Sequence, residues 1–183
     1  SMEKNQKHPF DRSYWVIPNK FLAGYYPGDR QKDVMKQKML DLLACGIRCT
    51  INLMEPDECD HDGLPFVDYA PVIQKLADGG LPVVCHRLPI RDLGIPSREL
   101  MVQILDCIDE SLAMERPAYV HCWGGRGRTG TVVGCWLARQ GIAEGENVLV
   151  KIKELRRTDA RAHWPSPEMP EQVRMVLSWE KGQ

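Results

Sequence analysis

Between Ala118 and Gly141 the chain passes from a short apolar run (AYVHC, residues 118–122) through a glycine-rich loop into a second apolar run, TVVGCWLARQ, with helical spacing. A β-type run of this length, followed at once by a glycine-punctuated turn and an apolar helix, reads as a buried strand-loop-helix unit. Such a unit implies an α/β layer fold, and the rest of the chain agrees.

Tyr14–Pro18 (YWVIP) is short, β-branched and aromatic, as suits a strand, whereas FLAGYYPG after it reads as turn-rich. Apolar Val34, Met35, Met39, Leu42 and Leu43 predict a helix over Asp29–Cys45, closed by Gly46. Residues 47–54 and Pro82–Ile90 read as strands, and Glu55–Pro65 as an acidic, solvated turn region. Ser97 is placed to cap a helix carrying Met101, Ile104, Leu105, Ile108 and Leu112 at three- and four-residue steps, with Pro117 beyond its end. Two more helices are expected near 145–157 and 169–181. Alternating strands and helices make the sheet largely parallel and flanked by helices. One domain over residues 1–183 is expected, with 1–12 a flexible N-terminal segment; Ser1 before Met2 reads as the scar of a cleaved tag.

Charge narrows the partners. Lys and Arg number 24 against 25 Asp and Glu, so no global field favours nucleic acid or an anionic membrane, and anion recognition has to be local. Seven cysteines without CxxC spacing fit reduced thiols in the cytoplasm, and no apolar run is long enough for a membrane span or a signal peptide.

The central loop reads His121-Cys122-Trp123-Gly124-Gly125-Arg126-Gly127-Arg128-Thr129-Gly130. Gly125, Gly127 and Gly130 satisfy the dinucleotide fingerprint, but the acidic residue about 20 positions on is missing. A Walker loop fails too, because Arg128 and Trp123 occupy its lysine and glycine places. The remaining reading, HCxxGxxR[ST], uses every residue. It is the signature of cysteine-dependent protein phosphatases.

The physical chemistry of that signature is coherent. A loop entering a helix N-terminus offers free N–H groups and the positive end of the dipole, which together bind a phosphate dianion. Gly124, Gly125 and Gly127 let the backbone curl with its amides inward, and Arg128 adds a planar fork suited to bidentate phosphate binding. The same field favours the thiolate of Cys122, the form that attacks phosphorus. Thr129 is placed to offer its hydroxyl to the sulfur, and His121 to orient the loop through hydrogen bonds. Trp123 and Arg126 are expected to point outward and line the pocket mouth. There Arg126 either meets a second anionic group of the substrate or pairs with a nearby carboxylate.

A leaving alkoxide or phenolate needs a proton, and Asp92, in the Gly- and Pro-marked loop LPIRDLGIP, is the candidate acid. PIRDLGIP together with HCWGGRGRTG resembles the acid loop and phosphate loop of dual-specificity phosphatases, especially the cyclin-dependent-kinase-associated type and its bacterial relatives. In that family the acid precedes the nucleophile by about thirty residues, as Asp92 precedes Cys122. The resemblance covers residues 80–157 well and implies a protein-tyrosine-phosphatase-like fold. It also suggests that SPEMPEQ at 166–172 carries a water-positioning glutamine, Gln172. Gln172 as a surface residue of a helix's first turn is the competing reading.

Two other patterns are set aside. Glu58, Asp60, Asp62 and Gly63 imitate a calcium loop whose last ligand would be Tyr69, and Cys59, His61, Cys85 and His86 lack zinc-site spacing. No metal and no cofactor are expected. The expected activity is hydrolysis of phosphate monoesters, most readily on phosphotyrosine, phosphoserine or phosphothreonine proteins. An inositol phosphate or phosphoinositide phosphatase and a non-catalytic phospho-binding module are the alternatives.

Overall fold

The computed structural model describes residues 8–183, so Ser1 and most of the segment expected to be flexible lie outside the described residues. The elements run β1 (Ser13–Ile17), β2 (Phe21–Gly24), α1 (Lys32–Ala44), β3 (Cys49–Asn52), α2 (Ala70–Leu76), β4 (Val84–Arg87), α3 (Arg98–Ala113), β5 (Ala118–His121), α4 (Arg128–Arg139), α5 (Glu146–Leu155) and α6 (Pro170–Ser178). The strands form one sheet in the order β1-β2-β5-β3-β4, antiparallel only between β1 and β2. This is the α/β architecture, largely parallel and helix-flanked, that the alternating pattern predicts.

Strand alternation divides the core. Phe21, Ala23, Cys49, Ile51, Ala118 and Val120 face α3, α4, α5 and α6, whereas Leu22 and Tyr119 face α1 and α2. The same alternation turns His121 toward the side of Tyr119, whose ring it stacks on, and Cys122 toward the side of Val120. α4 is buried along nearly its whole length, which explains its continuous apolar sequence. Gly134 is what allows α6 so close, since a Cβ there would lie 2.6 Å from a methyl of Val176.

Register positions the functional loops. Gly24 and Asn52 both pair with His121, so β2, β3 and β5 end level with one another, and the chain leaves all of them at one edge of the sheet. Ligand sites of parallel sheets form at such carboxyl edges.

Two local expectations change. Phe21–Gly24, read as part of a turn, is the fully buried strand β2; pairing with β1 and β5 overrides the weak strand propensity of Ala23 and Gly24. α2, which the sequence reading does not identify, is a seven-residue helix with Pro71 in its first turn. Of the N-terminal segment, Phe10 packs edge-on against Tyr25 and Tyr119, and Arg12 bonds the central loop. Other elements match with shorter ends: Ser97 Oγ caps α3 by accepting from the Leu100 N–H, and Gly46 follows α1 with φ +91°.

Candidate active site

Residues 122–127 connect β5 to α4, and Gly127 caps the helix, so Arg128 and Thr129 occupy its first turn. Gly125 adopts φ +75°, and a Cβ there would lie 2.7 Å from the backbone of Gly24; only glycine lets the loop fold back against the end of β2. The turn brings the Gly125 N–H to 3.3 Å from Cys122 Sγ, and Thr129 Oγ1 lies 3.1 Å from the same sulfur. The Thr129 hydroxyl also reaches Gly24 O at 3.2 Å; with one proton it serves one acceptor at a time. Cys122 is nearly buried, at the wall of a cavity of about 510 Å³ that Asp92, Trp123, Gly124, Arg126, Gly127, Arg128 and Gln172 also line.

His121 is fully buried, and desolvation pushes its pKa down to about 3. Its Nδ1 lies 3.1 Å from Cys122 O, which can only accept, so the neutral ring carries its proton there. Nε2 then accepts from the Tyr69 hydroxyl at 2.6 Å. His121 thus ties the first carbonyl of the loop to Tyr69, the residue that precedes α2, and its side chain points away from the cavity.

Arg128 is held by a residue that sequence reading assigned to a solvated loop. Both carboxylate oxygens of Glu58 accept from its guanidinium, at 2.7 and 2.9 Å, while Nη1 also donates to Ile90 O at 3.0 Å. Asp92 Oδ1 is 3.2 Å from Nη2 and accepts from the Leu93 N–H at 3.0 Å. Burial opposes the charge of Arg128, but Glu58, Cys122 and Asp92 outweigh it and the net shift is upward. The segment around Glu58 is itself structured: Asp60 Oδ1 accepts from the N–H groups of Asp62 and Leu64, and Cys59 bridges Pro65. The acid-and-glycine spacing that imitates a calcium loop is what makes this turn, and the turn aims Glu58 inward. No sequence signal separates Glu58 from its acidic neighbours. Among the described residues, no group of three or more His, Cys, Asp or Glu is arranged to hold a metal ion.

Gln172 is fully buried, which overturns the surface reading. Its Oε1 accepts from the Met169 N–H at 3.0 Å and its Nε2 donates to Gly94 O at 3.1 Å, so it ties the start of α6 to the loop bearing Asp92. Arg126 takes the second of the two arrangements considered for it: Nη1 pairs with Glu168 at 3.1 Å and Nε donates to Pro165 O. Trp123 packs against His61 and Phe66. Arg12, absent from the sequence reading, donates from Nη2 to Gly124 O at 3.0 Å. A separate cavity of about 370 Å³ between Tyr26, Arg30 and Phe66 is lined by no cysteine, serine or threonine among the described residues.

A family model described as a Swiss Army Knife protein, DSP-PTPase phosphatase domain, matches residues 11–172. Two uncharacterized proteins of Methanocaldococcus jannaschii are similar over shorter stretches. One is 46% identical over 55 residues, 30% of this chain and 35% of that protein; the other is 40% identical over 67 residues, 37% of this chain and 44% of that protein. The chain therefore spans less than half the length of these curated relatives. Among solved structures, kinase associated phosphatase aligns with a TM-score of 0.67 at 21% identity, covering 85% of this chain and 83% of that one. TpbA of P. aeruginosa, in complex with pTyr, aligns at 0.65 and 14% identity over 94% and 86% of the two chains. PTPMT1 aligns at 0.66 and 20% identity over 91% and 92%. At these identities the likeness is one of fold.

Proposed function

The chain belongs to the DSP-PTPase phosphatase domain family, a family of cysteine-based phosphatases, and from that premise we propose that it hydrolyses phosphate monoesters through a phosphocysteine intermediate on Cys122. One observation carries the reading: the Cys122 sulfur accepts from the Gly125 N–H and the Thr129 hydroxyl while the guanidinium of Arg128 is clamped at the same cavity. The Gly125 amide and the Arg128 guanidinium are placed to receive a phosphate dianion next to that sulfur. The thiolate attacks phosphorus, a P–S bond forms, and the P–O bond to the leaving group breaks. Asp92, as the acid, gives its proton to the departing oxygen. Water then attacks phosphorus and passes a proton to the Asp92 carboxylate, the P–S bond breaks, and inorganic phosphate and the Cys122 thiolate result. Gln172, buried against Gly127, is the candidate to orient that water.

Phosphotyrosine, phosphoserine and phosphothreonine proteins fit this chemistry. A second substrate reading, a phosphorylated inositol, is favoured by one specific observation: guanidinium groups outnumber carboxylates along the cavity wall. A reducing, cytoplasmic setting belongs to the proposal, supported by seven free cysteines and a thiolate nucleophile. No helix among the described residues is long and apolar enough to cross a membrane.

The test is turnover of p-nitrophenyl phosphate by the intact chain and by Cys122→Ser, which keeps the phosphate cradle and removes the thiolate. Activity is expected to vanish in the variant, and rapid quenching of Asp92→Asn during turnover is expected to show phosphate on Cys122 by mass spectrometry. Substantial activity in Cys122→Ser would mean that another group is the nucleophile.

A further inference from the structure

Five guanidinium groups line the cavity of Cys122, those of Arg12, Arg126, Arg128, Arg156 and Arg161. Glu168 neutralises Arg126, and Glu58 with Asp92 neutralises Arg128. Arg12, Arg156 and Arg161 make no ion pair among the described residues. Arg156 is 3% exposed, donates only to the carbonyls of Trp164 and Arg161, and has a buried Nε without a partner. Arg12 lies over the ring of Tyr25, and its Nε is likewise buried and unpartnered. Arg161 lies 4.8 Å from the ring centre of Trp164, and its guanidinium has no hydrogen bond among the described residues. The one carboxylate beside them, Asp159, accepts from the backbone N–H of Arg161 at 2.8 Å.

This side of the cavity therefore carries three cations against one anion. Crowding is evident in Arg12, whose pKa is lowered first by burial and next by the charge of Arg161. Like charges gathered on a partly desolvated wall repel one another unless an anion comes between them. The wall belongs to the same cavity as Cys122, so that anion has to enter along with the scissile phosphate.

We infer that Arg12, Arg156 and Arg161 form a second-phosphate subsite, and that the preferred substrate is a polyol ring of the inositol type carrying at least two phosphates. The inference rests on the phosphatase reading and names its substrate class. A compact ring holds two phosphates close enough to share one cavity. In an extended phosphopeptide the adjacent side chain points to the opposite face, so a neighbouring phosphorylated residue does not present its phosphate to the same cavity. Arg126, for which a second substrate anion was one of two expected partners, is engaged by Glu168, and the role passes to arginines without carboxylate partners.

The experiment measures kcat/KM for an inositol monophosphate and an inositol bisphosphate in the intact chain, Arg161→Gln and Arg161→Glu. Arg161 is chosen because it is exposed and its guanidinium makes no hydrogen bond or ion pair among the described residues. The bisphosphate is expected to be preferred, and the preference to fall roughly tenfold in Arg161→Gln and further in Arg161→Glu, as for loss of a hydrogen bond to a charged group. The free headgroup and its short-chain phosphatidylinositol ester are assayed side by side. A bisphosphate preference in either that depends on Arg161 supports the subsite, and the faster of the two identifies the source. An unchanged preference in both variants, or faster turnover of a doubly phosphorylated peptide, overturns it. p-Nitrophenyl phosphate hydrolysis that depends on Cys122 separates failure of the subsite from failure of the phosphatase reading.

Discussion

Glu58 is 70 positions away from Arg128 in the chain, yet both its oxygens meet the guanidinium. A buried arginine that loses one of its two carboxylates keeps the cost of desolvation with less compensating attraction, a loss below the roughly 3–5 kcal/mol of a fully unpaired buried charge because Asp92 remains. Glu58→Ala is therefore expected to lower the melting temperature and to weaken inhibition by inorganic phosphate, because Arg128 no longer holds its fork toward the cradle. Unchanged phosphate inhibition would limit Glu58 to a stabilising role. Asp92 makes a different prediction. As the proposed acid, it matters least when the leaving oxygen is already a weak base, so Asp92→Asn is expected to lower kcat by about 10²- to 10⁴-fold on an alkyl phosphate and far less on p-nitrophenyl phosphate. Equal losses on both substrates would assign the proton to another donor.

Between elements, the decisive contacts are those that tie α4 and α6 to the acid loop. Gln172 spends one hydrogen bond on its own helix start and one on Gly94 O, next to Leu93, whose φ of +65° shows how sharply the loop turns after Asp92. Gln172→Ala leaves buried groups unpaired, at roughly 1–3 kcal/mol, and is expected to lower kcat more than it raises KM, with faster amide exchange at residues 91–95. Unaltered exchange there would dissociate Gln172 from the loop. The α4 to α6 contact is tested by Gly134→Ala, which drives a methyl into Val176 and is expected to cost about 1–3 kcal/mol. Val176→Ala combined with it should recover most of that loss in a urea titration, since the two substitutions share one contact.

For the whole molecule, acid stability follows from His121. Its folded pKa of about 3 lies below the unfolded value near 6.5, so below pH 6.5 the unfolded chain takes up a proton that the folded one refuses. Stability from the neutral ring is fully present above pH 6.5 and is lost at up to about 1.4 kcal/mol per pH unit as the pH falls toward 3. His121→Asn is expected to be less stable at neutral pH and to show a shallower decline between pH 6.5 and 4; an identical slope would place the acid sensitivity elsewhere. The fold was legible because hydrophobic periodicity and turn residues are local, which is why the strand, loop and helix at 118–141 read out almost residue by residue, and why β2 and α2, short and dependent on their neighbours, did not. The loop after β5 was legible for the same reason: Cys122, Gly125, Arg128 and Thr129 fall within one short stretch of chain, and their mutual geometry is a property of one turn of backbone. Glu58, Arg12, Arg156, Arg161 and the burial of Gln172 carry no such mark. They reach the cavity because the parallel register ends β2, β3 and β5 at one edge and α6 packs behind α4, and contacts across that much chain are decided by packing that no local pattern records.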